Sequence, residues 1–464
     1  MNMRITEIAV NGLFGLFDHH IPLNLSERVT IIHGPNGFGK TVLLQMIDGL
    51  FNYNYEIFSR VPFSLFRIRF NDKTSLNVKR NRPTSAGVGP EIKAYGLQPE
   101  DELIDLASLS LEGVTDFAGD LENLYLELRR TGLPGWFSTK TGSTPDGLDK
   151  TGLYVWWLLK RHPRYPDWLA IIRSVNPVCL INRDQLTAYQ QPVMDPWSGP
   201  GQGPMGGPGL TGSSTPLLNK YPAVPEYARQ LSANINKILA DSTQLSMSLD
   251  STYPKRLIGD LREKKWAGVN EGELRRELSE LDKKRARLAA AGFMDKQQDS
   301  VEIPNQPVGR ETLHVLMTYV SDVKQKLGIF EEMLKKIELL KRIINKYFYG
   351  KELIIDRQEG FVFMMPDGHR LPLSGLSSGE QHLLVLVYKL LFEVETDSLV
   401  MIDEPETSLH LAWQQKFLDD LMDITGLVGF DCLIATHSPD IISDHWGLTV
   451  AMEARKNQAE ARPA

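Results

Sequence analysis

The chain has 464 residues, 42% of them hydrophobic, enough for a large buried core and about two or three structural units. Charged residues make up 23% and the formal net charge is -7, which argues against a surface given over wholly to nucleic acid while leaving room for a local basic patch. The two cysteines, Cys179 and Cys432, lie in apolar runs and read as buried, inert thiols of a reducing compartment rather than a disulfide. The opening MNMRITEIAV has no signal-peptide pattern, and the longest apolar run, Leu383 to Phe392, is interrupted by Lys389. It falls far short of the ~20 residues of a membrane helix, so no membrane association and a cytoplasmic location are expected.

Residues 3 to 33 read as short strands between turns, ending in the β-branched run Val29-Thr30-Ile31-Ile32. A helix is expected from about Lys40 to Phe51, with Val42, Leu43, Met46, Ile47 and Leu50 on one face. Phe63 to Phe70 and Ser75 to Lys79 alternate apolar with polar and are expected to pair across Asn71-Asp72-Lys73. From about 96 to 175 the pattern is mostly helical, and Val178 to Asn182 reads as a buried strand. Between Gln190 and Pro216 the density of Gly and Pro excludes a core and predicts a flexible loop.

A long helical region begins near Pro225. Leu313, Leu316, Val320, Val323, Leu327, Phe330, Leu334 and Ile337 recur in steps of three and four, the spacing of a coiled-coil seam. Leu274, Leu278, Leu281 and Leu288 form a shorter stripe before a break at Gly292 to Pro307. Two antiparallel arms joined by that break are expected, forty helical residues reaching roughly 60 Å; an ordinary packed helical subdomain is the alternative. Glu352 to Ile355 and Phe361 to Met364 read as a hairpin, and a final α/β segment runs to about Trp446. The expected division is an amino-terminal lobe over 1–190, a Gly/Pro-rich loop over 191–224, a helical insertion over 225–349, a carboxyl-terminal lobe over 350–450 and a disordered tail over 451–464.

Three motifs carry chemistry. His33-Gly34-Pro35-Asn36-Gly37-Phe38-Gly39-Lys40-Thr41 contains Gly-x-x-x-x-Gly-Lys-Thr between an apolar strand and a helix. Backbone N–H groups of Asn36, Gly37, Phe38 and Gly39 suit a phosphate chain, Lys40 suits the β- and γ-phosphates, and Thr41 suits Mg2+. Leu399-Val400-Met401-Ile402-Asp403-Glu404 reads as a buried strand delivering two acids to its carboxyl end. Asp403 there suits Mg2+ through water, and Glu404 suits a general base acting on water. Leu376-Ser377-Ser378-Gly379-Glu380-Gln381 opens an apolar helix, and its Ser and Gly residues present N–H groups and hydroxyls to an anion.

In this order the motifs resemble those of ABC-type ATPases, in the Rad50, SMC and OLD-like branch rather than among transporters. The resemblance covers roughly residues 1 to 80 and 350 to 445. It implies an α/β fold: an ABC-type head, a mixed sheet with the phosphate-loop helix, assembled from both ends of the chain around an inserted helical, short coiled-coil arm. It implies ATP and Mg2+ as cofactors, and Ser377, Ser378, Gly379 and Glu380 as a signature contacting the γ-phosphate held by another subunit. That signature has Ser378 and Glu380 where the common form has Gly and Gln, a variant typical of the OLD-like branch. Ile434-Ala435-Thr436-His437-Ser438-Pro439 resembles the switch, with His437 at the γ-phosphate. Ser408-Leu409-His410 falls at the D-loop, and Gln185 is the candidate Q-loop residue, a surface glutamine being the alternative.

The family geometry implies a homodimer or higher homo-oligomer closed by ATP. OLD nucleases continue into a Toprim domain, for which no room is expected after His437; Asp440 and Asp444 read as helix-capping. The stand-alone form is similar to the ATPase subunits of PARIS- and Septu-type phage-defence pairs. That likeness implies a separate effector such as a nuclease, with DNA or a phage protein as trigger. Ser248-Leu249-Asp250-Ser251-Thr252-Tyr253-Pro254-Lys255-Arg256 also resembles stretches of such chains. The alternative is a Rad50-like DNA repair or DNA-end-binding ATPase. No Cys-x-x-Cys hook supports it, while Arg67, Arg69, Lys79, Arg80 and Arg82 offer a basic hairpin.

Overall fold

Alternation in the first strands is translated directly into burial: Ile5, Ile8, Val10 and Leu13 turn inward along β1 (Ile5–Leu13). The computed structural model describes residues 3–52, 56–81, 91–95, 104–105, 177–181, 224–263, 265–266, 268–294, 309–407 and 409–453. The Gly/Pro-rich loop, almost all of the helical pattern expected over 96 to 175, and the tail lie outside them. The chain divides into two compact units. One holds residues 1–182, 395–405 and 428–464, and the other 183–394 and 406–427, so the segment 350–450 contributes to both.

The first unit contains two sheets and is α/β, as expected. β1 lies between β2 (Phe17–Pro22) and β4 (Leu65–Phe70), and β5 (Ser75–Asn81), β6 (Glu91–Tyr95) and β7 (Ile104–Asp105) follow in order, all antiparallel. The β4–β5 pair is the hairpin expected across Asn71-Asp72-Lys73. The other sheet is wholly parallel: β14 (Thr449–Ala451), β3 (Val29–His33), β13 (Asp431–Thr436), β12 (Leu399–Asp403) and β8 (Val178–Ile181), in that order. Its central strands are near-continuous apolar runs, as a sheet covered on both faces requires.

Helix α1 (Lys40–Phe51) shares one apolar core with both sheets. That position explains why Leu44 is buried along with the predicted face of Leu43, Met46, Ile47 and Leu50, whereas Val42 is only partly buried. A short helix, α2 (Glu56–Arg60), follows. Cys432 is fully buried, which pushes its thiol pKa up. Cys179 is exposed, correcting the expectation that both thiols are buried. It sits on edge strand β8 between core residues Val178 and Leu180, and strict alternation turns it to the opposite face.

The second unit is built on α3 (Val224–Arg262), α4 (Glu271–Ala290), α5 (Arg310–Gly328) and α6 (Glu331–Tyr347). The predicted leucine stripes are buried, except that Leu316 is only partly so. Their partners are not those expected. Lys324 pairs with Glu277, Lys284 with Glu331 and Arg287 with Glu338, so α4 runs parallel to α5 and α6. The antiparallel neighbour of α5 is α3, through Lys326–Asp250, Arg256–Asp322 and the Thr318 hydroxyl on Asp260. Two arms turning back at Gly292 to Pro307 are thereby replaced by a packed helical subdomain of α3, α4, α5 and α6, the alternative reading. The antiparallel turn occurs instead between α3 and α4, where Asn270 and Glu273 form a reciprocal cap.

The expected hairpin forms from β9 (Glu352–Asp356) and β10 (Gly360–Met364), with β11 (Arg370–Leu371) beyond it. Helix α7 (Ser378–Phe392) is buried along much of its length, and α8 (Leu411–Val428) carries the chain onward. A single turn, α9 (Pro439–Ile442), follows β13, with Asp440 in its first turn.

Candidate functional site

The phosphate-loop sequence folds as its glycines require. Gly37 and Gly39 have φ of +85° and +87°, the left-handed region that a side chain disfavours. A Cβ on Gly39 would also lie 2.5 Å from Leu13 Cδ2, so a side chain here would both strain the backbone and force Leu13 to shift. Asn36 and Gly37 are exposed, Phe38 is half-buried, and Lys40 is buried at the first turn of α1. The Lys40 ammonium donates to the carbonyls of Gly34, at 2.7 Å, and Pro35, at 3.2 Å.

The acidic pair reaches the same place along β12, two strands from β3 in the same parallel sheet. β12 is hydrogen-bonded between β13 and β8 and ends at Asp403, whose Oδ1 accepts from the Thr41 hydroxyl at 3.2 Å. The Glu404 N–H donates to the Ala435 carbonyl at 2.8 Å. Glu404 itself has φ of +45°, a strained value for a residue that carries a Cβ. His437 follows β13 directly, and its Nδ1 lies 3.8 Å from Glu404 Oε1. The turn that presents it is fixed by the buried Thr436 hydroxyl, which accepts the Ser438 N–H at 3.0 Å.

Lys40, Thr41, Asp403, Glu404 and His437 thus assemble at the carboxyl ends of parallel strands, where open α/β sheets bind ligands. Thr41 and Asp403 supply the hard oxygen donors that Mg2+ takes.

In the second unit, Ser377 and Ser378 are exposed at the tip of α7. Ser377 is the N-cap, and Glu380 completes a capping box. The buried Glu380 carboxylate accepts from the Ser377 N–H at 2.8 Å and its hydroxyl at 2.9 Å, and both oxygens pair with Lys351 at 2.7 Å. Burial alone would raise its pKa; hydrogen bonds from Lys351 and Ser377 outweigh that and hold it below the ordinary value. Among the four signature candidates, Ser377 and Glu380 are therefore engaged with each other in the helix cap, while Ser378 is exposed beside them. Leu409 is buried and His410 packs against Trp413, with ring centroids 5.8 Å apart. Gln185 and Ser408 lie outside the described residues.

Two residues outside the motifs stand beside these. Lys351 is one, legible only once β9 is known to approach the α7 cap. His19 is the other: buried in β2, its Nε2 lies 2.9 Å from the Phe38 carbonyl inside the phosphate loop. The basic hairpin, by contrast, is largely occupied. Arg67 donates to Asn77, Arg69 pairs with Glu7, and Arg80 donates to the carbonyls of Val61 and Ser59. Lys79 is exposed, and Arg82 lies outside the described residues. Among the described residues no helix is long and apolar enough to cross a membrane.

Residues 261–443 match a family model described as "AAA domain, putative AbiEii toxin, Type IV TA system". The matched segment includes Ser377, Asp403, Glu404 and His437, while Lys40 and Thr41 precede it. No curated protein matches the chain. Among solved structures it is similar to the Smc head domain with an extended coiled coil from Pyrococcus furiosus, bound there to the C-terminal domain of ScpA. That similarity has 13% identity and a TM-score of 0.35, covering 98% of this chain and 94% of that one. The Smc head domain with coiled coil and joint from Pyrococcus yayanosii gives 12%, 0.34, 98% and 95%, respectively. The SMC head domain from Thermotoga maritima gives 12%, 0.34, 95% and 92%. Superpositions this loose carry no argument about activity.

Proposed function

We propose that the chain binds ATP with Mg2+ on the loop from Asn36 to Thr41 and hydrolyses it to ADP and phosphate. The observation that carries this reading is the contact between the Thr41 hydroxyl and Asp403, beside buried Lys40 and within one strand of Glu404 and His437. Lys40 neutralises the β- and γ-phosphates, Glu404 takes the proton of the attacking water, and His437 hydrogen-bonds the γ-phosphate side. Thr41 and Asp403 would hold Mg2+, which would supply charge neutralisation to the phosphates. Gln185 is retained as a candidate for orienting the water.

In this reading the exposed tip of α7, with Ser377, Ser378 and Gly379, completes the site of a second copy, so ATP is the bond that closes a homodimer. The cellular role that fits best is a cytoplasmic sensor or scaffold of a bacterial defence pair, restraining a separate effector until DNA or a phage protein intervenes. The wording of the matched family, a toxin of a toxin–antitoxin system, supports a role beside a separate partner. A DNA-repair ATPase draws less support, because Arg67, Arg69 and Arg80 already have partners within the fold.

ATP turnover by the wild type, Lys40→Ala and Glu404→Gln tests the chemistry. Both variants are expected to lose at least about 100-fold in turnover, the usual worth of a positioned acid–base group. Equal turnover in all three defeats the assignment. Native purification tests the role: a stoichiometric partner encoded nearby favours defence, whereas salt-sensitive DNA binding that stimulates turnover favours repair.

A further inference from the structure

We propose that His19 is a positioning residue for the phosphate loop, holding the peptide between Phe38 and Gly39 in the orientation that aims the Gly39 N–H at a bound phosphate. The inference rests on the ATP reading above and deepens it. A carbonyl oxygen can only accept, so the 2.9 Å contact fixes the hydrogen of His19 on Nε2 and makes the ring the donor. A trans peptide is planar, with its N–H pointing opposite to its C=O. Drawing the Phe38 carbonyl toward β2 therefore turns the Gly39 N–H to the other side of the loop.

Something must make that choice, because the backbone alone does not. Gly39 lacks a Cβ and adopts positive or negative φ with similar ease, so the preceding peptide is free to flip. Its observed φ of +87° is one of two accessible settings. His19 is well held for the task. It is 4% exposed, and its ring stacks on Phe17 at 5.7 Å and 13°. Phe17 in turn lies 4.9 Å from the ring of Phe38. Two aromatic contacts and one hydrogen bond thus tie β2 to the middle of the loop. Burial lowers the His19 pKa, although the Phe38 carbonyl and Asp18 oppose this, so the neutral donor form prevails at neutral pH.

The test compares His19→Gln, which keeps an N–H donor at similar reach, with His19→Met, which matches its length without one. ATP affinity, kcat and apo melting are measured for both, beside wild type and Lys40→Ala. His19→Met is expected to weaken ATP binding about tenfold, with kcat at saturation within about threefold of wild type. His19→Gln is expected to stay within about threefold in affinity. A purely structural histidine would lower melting in both variants without moving affinity, and that result overturns the proposal. So does a Gln variant that binds at least tenfold more weakly than wild type, which decides the matter even where the Met variant fails to fold. Failure of the underlying reading looks different: wild type then binds no ATP, or Lys40→Ala binds it as well as wild type.

Discussion

Glu404 carries a left-handed backbone at the end of β12, and the fold tolerates it because the N–H is anchored on Ala435. That conformation costs a residue with a Cβ about 1–2 kcal/mol, which glycine avoids. Glu404→Gly is therefore expected to melt above Glu404→Gln by about 1 kcal/mol of stability, while neither hydrolyses ATP. Equal melting would remove strain from the account of this position. His19 makes a second residue-scale prediction. Its folded pKa lies below the ordinary 6.5, chiefly through burial, so between those two values the unfolded chain binds a proton that the fold resists. Stability consequently rises with pH across that window and falls on acidification below 6.5. Melting curves between pH 7 and pH 5 should show a smaller acid loss in His19→Gln than in wild type. The sequence places Lys40 and Thr41 at the start of a helix and Asp403, Glu404 and His437 at or just after strand ends, and the elements form there because motif and element boundary coincide. His19 was not legible in this way, since its partner is a backbone carbonyl and no side-chain pattern records it. Glu380 was legible as part of a helix tip, but its inward turn depends on Lys351, which the spacing does not reveal.

At the scale of elements, periodicity identified which faces are buried but not what they face. The leucines of α4 and the seam of α5 and α6 are in the core as read, yet α4 runs alongside them in the same direction. Direction depends on ion pairs between helices, and no single-helix pattern contains it. The segment Ser248 to Arg256 gains a physical meaning here. Pro254 interrupts the hydrogen bonding of α3. Arg256 donates to the Leu249 carbonyl at 2.7 Å, and the Thr252 hydroxyl donates to that of Ser248 at 2.9 Å. The Arg256 guanidinium also spans both oxygens of Asp322, a buried residue of α5. Removing one partner leaves a buried charge unmatched, so Arg256→Ala is expected to cost about 3 kcal/mol in chemical denaturation. A cost under about 1 kcal/mol would mean that Asp322 is hydrated when alone. The strand signals fared better, because alternation and turn residues act locally: β4, β5, β9 and β10 pair as read.

For the molecule as a whole, the proposed activity makes a prediction about mass. A ligand that binds between two copies drives their association, so nucleotide occupancy and dimer population rise together. On the proposed reading, wild type would hydrolyse the ligand that holds it, and its dimer would be transient. Glu404→Gln retains Lys40, Thr41 and Asp403 but lacks the base, so with ATP and Mg2+ it should accumulate as a dimer in sedimentation. Lys40→Ala should remain monomeric at every nucleotide concentration. A third variant separates contact between copies from contact within one. Ser378 is exposed at the tip of α7, beyond the capping contacts of Ser377 and Glu380. Ser378→Arg therefore leaves the cap intact while placing bulk where a partner's triphosphate would lie. Combined with Glu404→Gln, it is expected to abolish the dimer while each monomer still binds ATP, because the loop from Asn36 to Thr41 is untouched. A double variant that still dimerises would show that the α7 tip takes no part in closing the pair. One that loses ATP binding altogether would show that the tip serves the phosphate loop of its own chain.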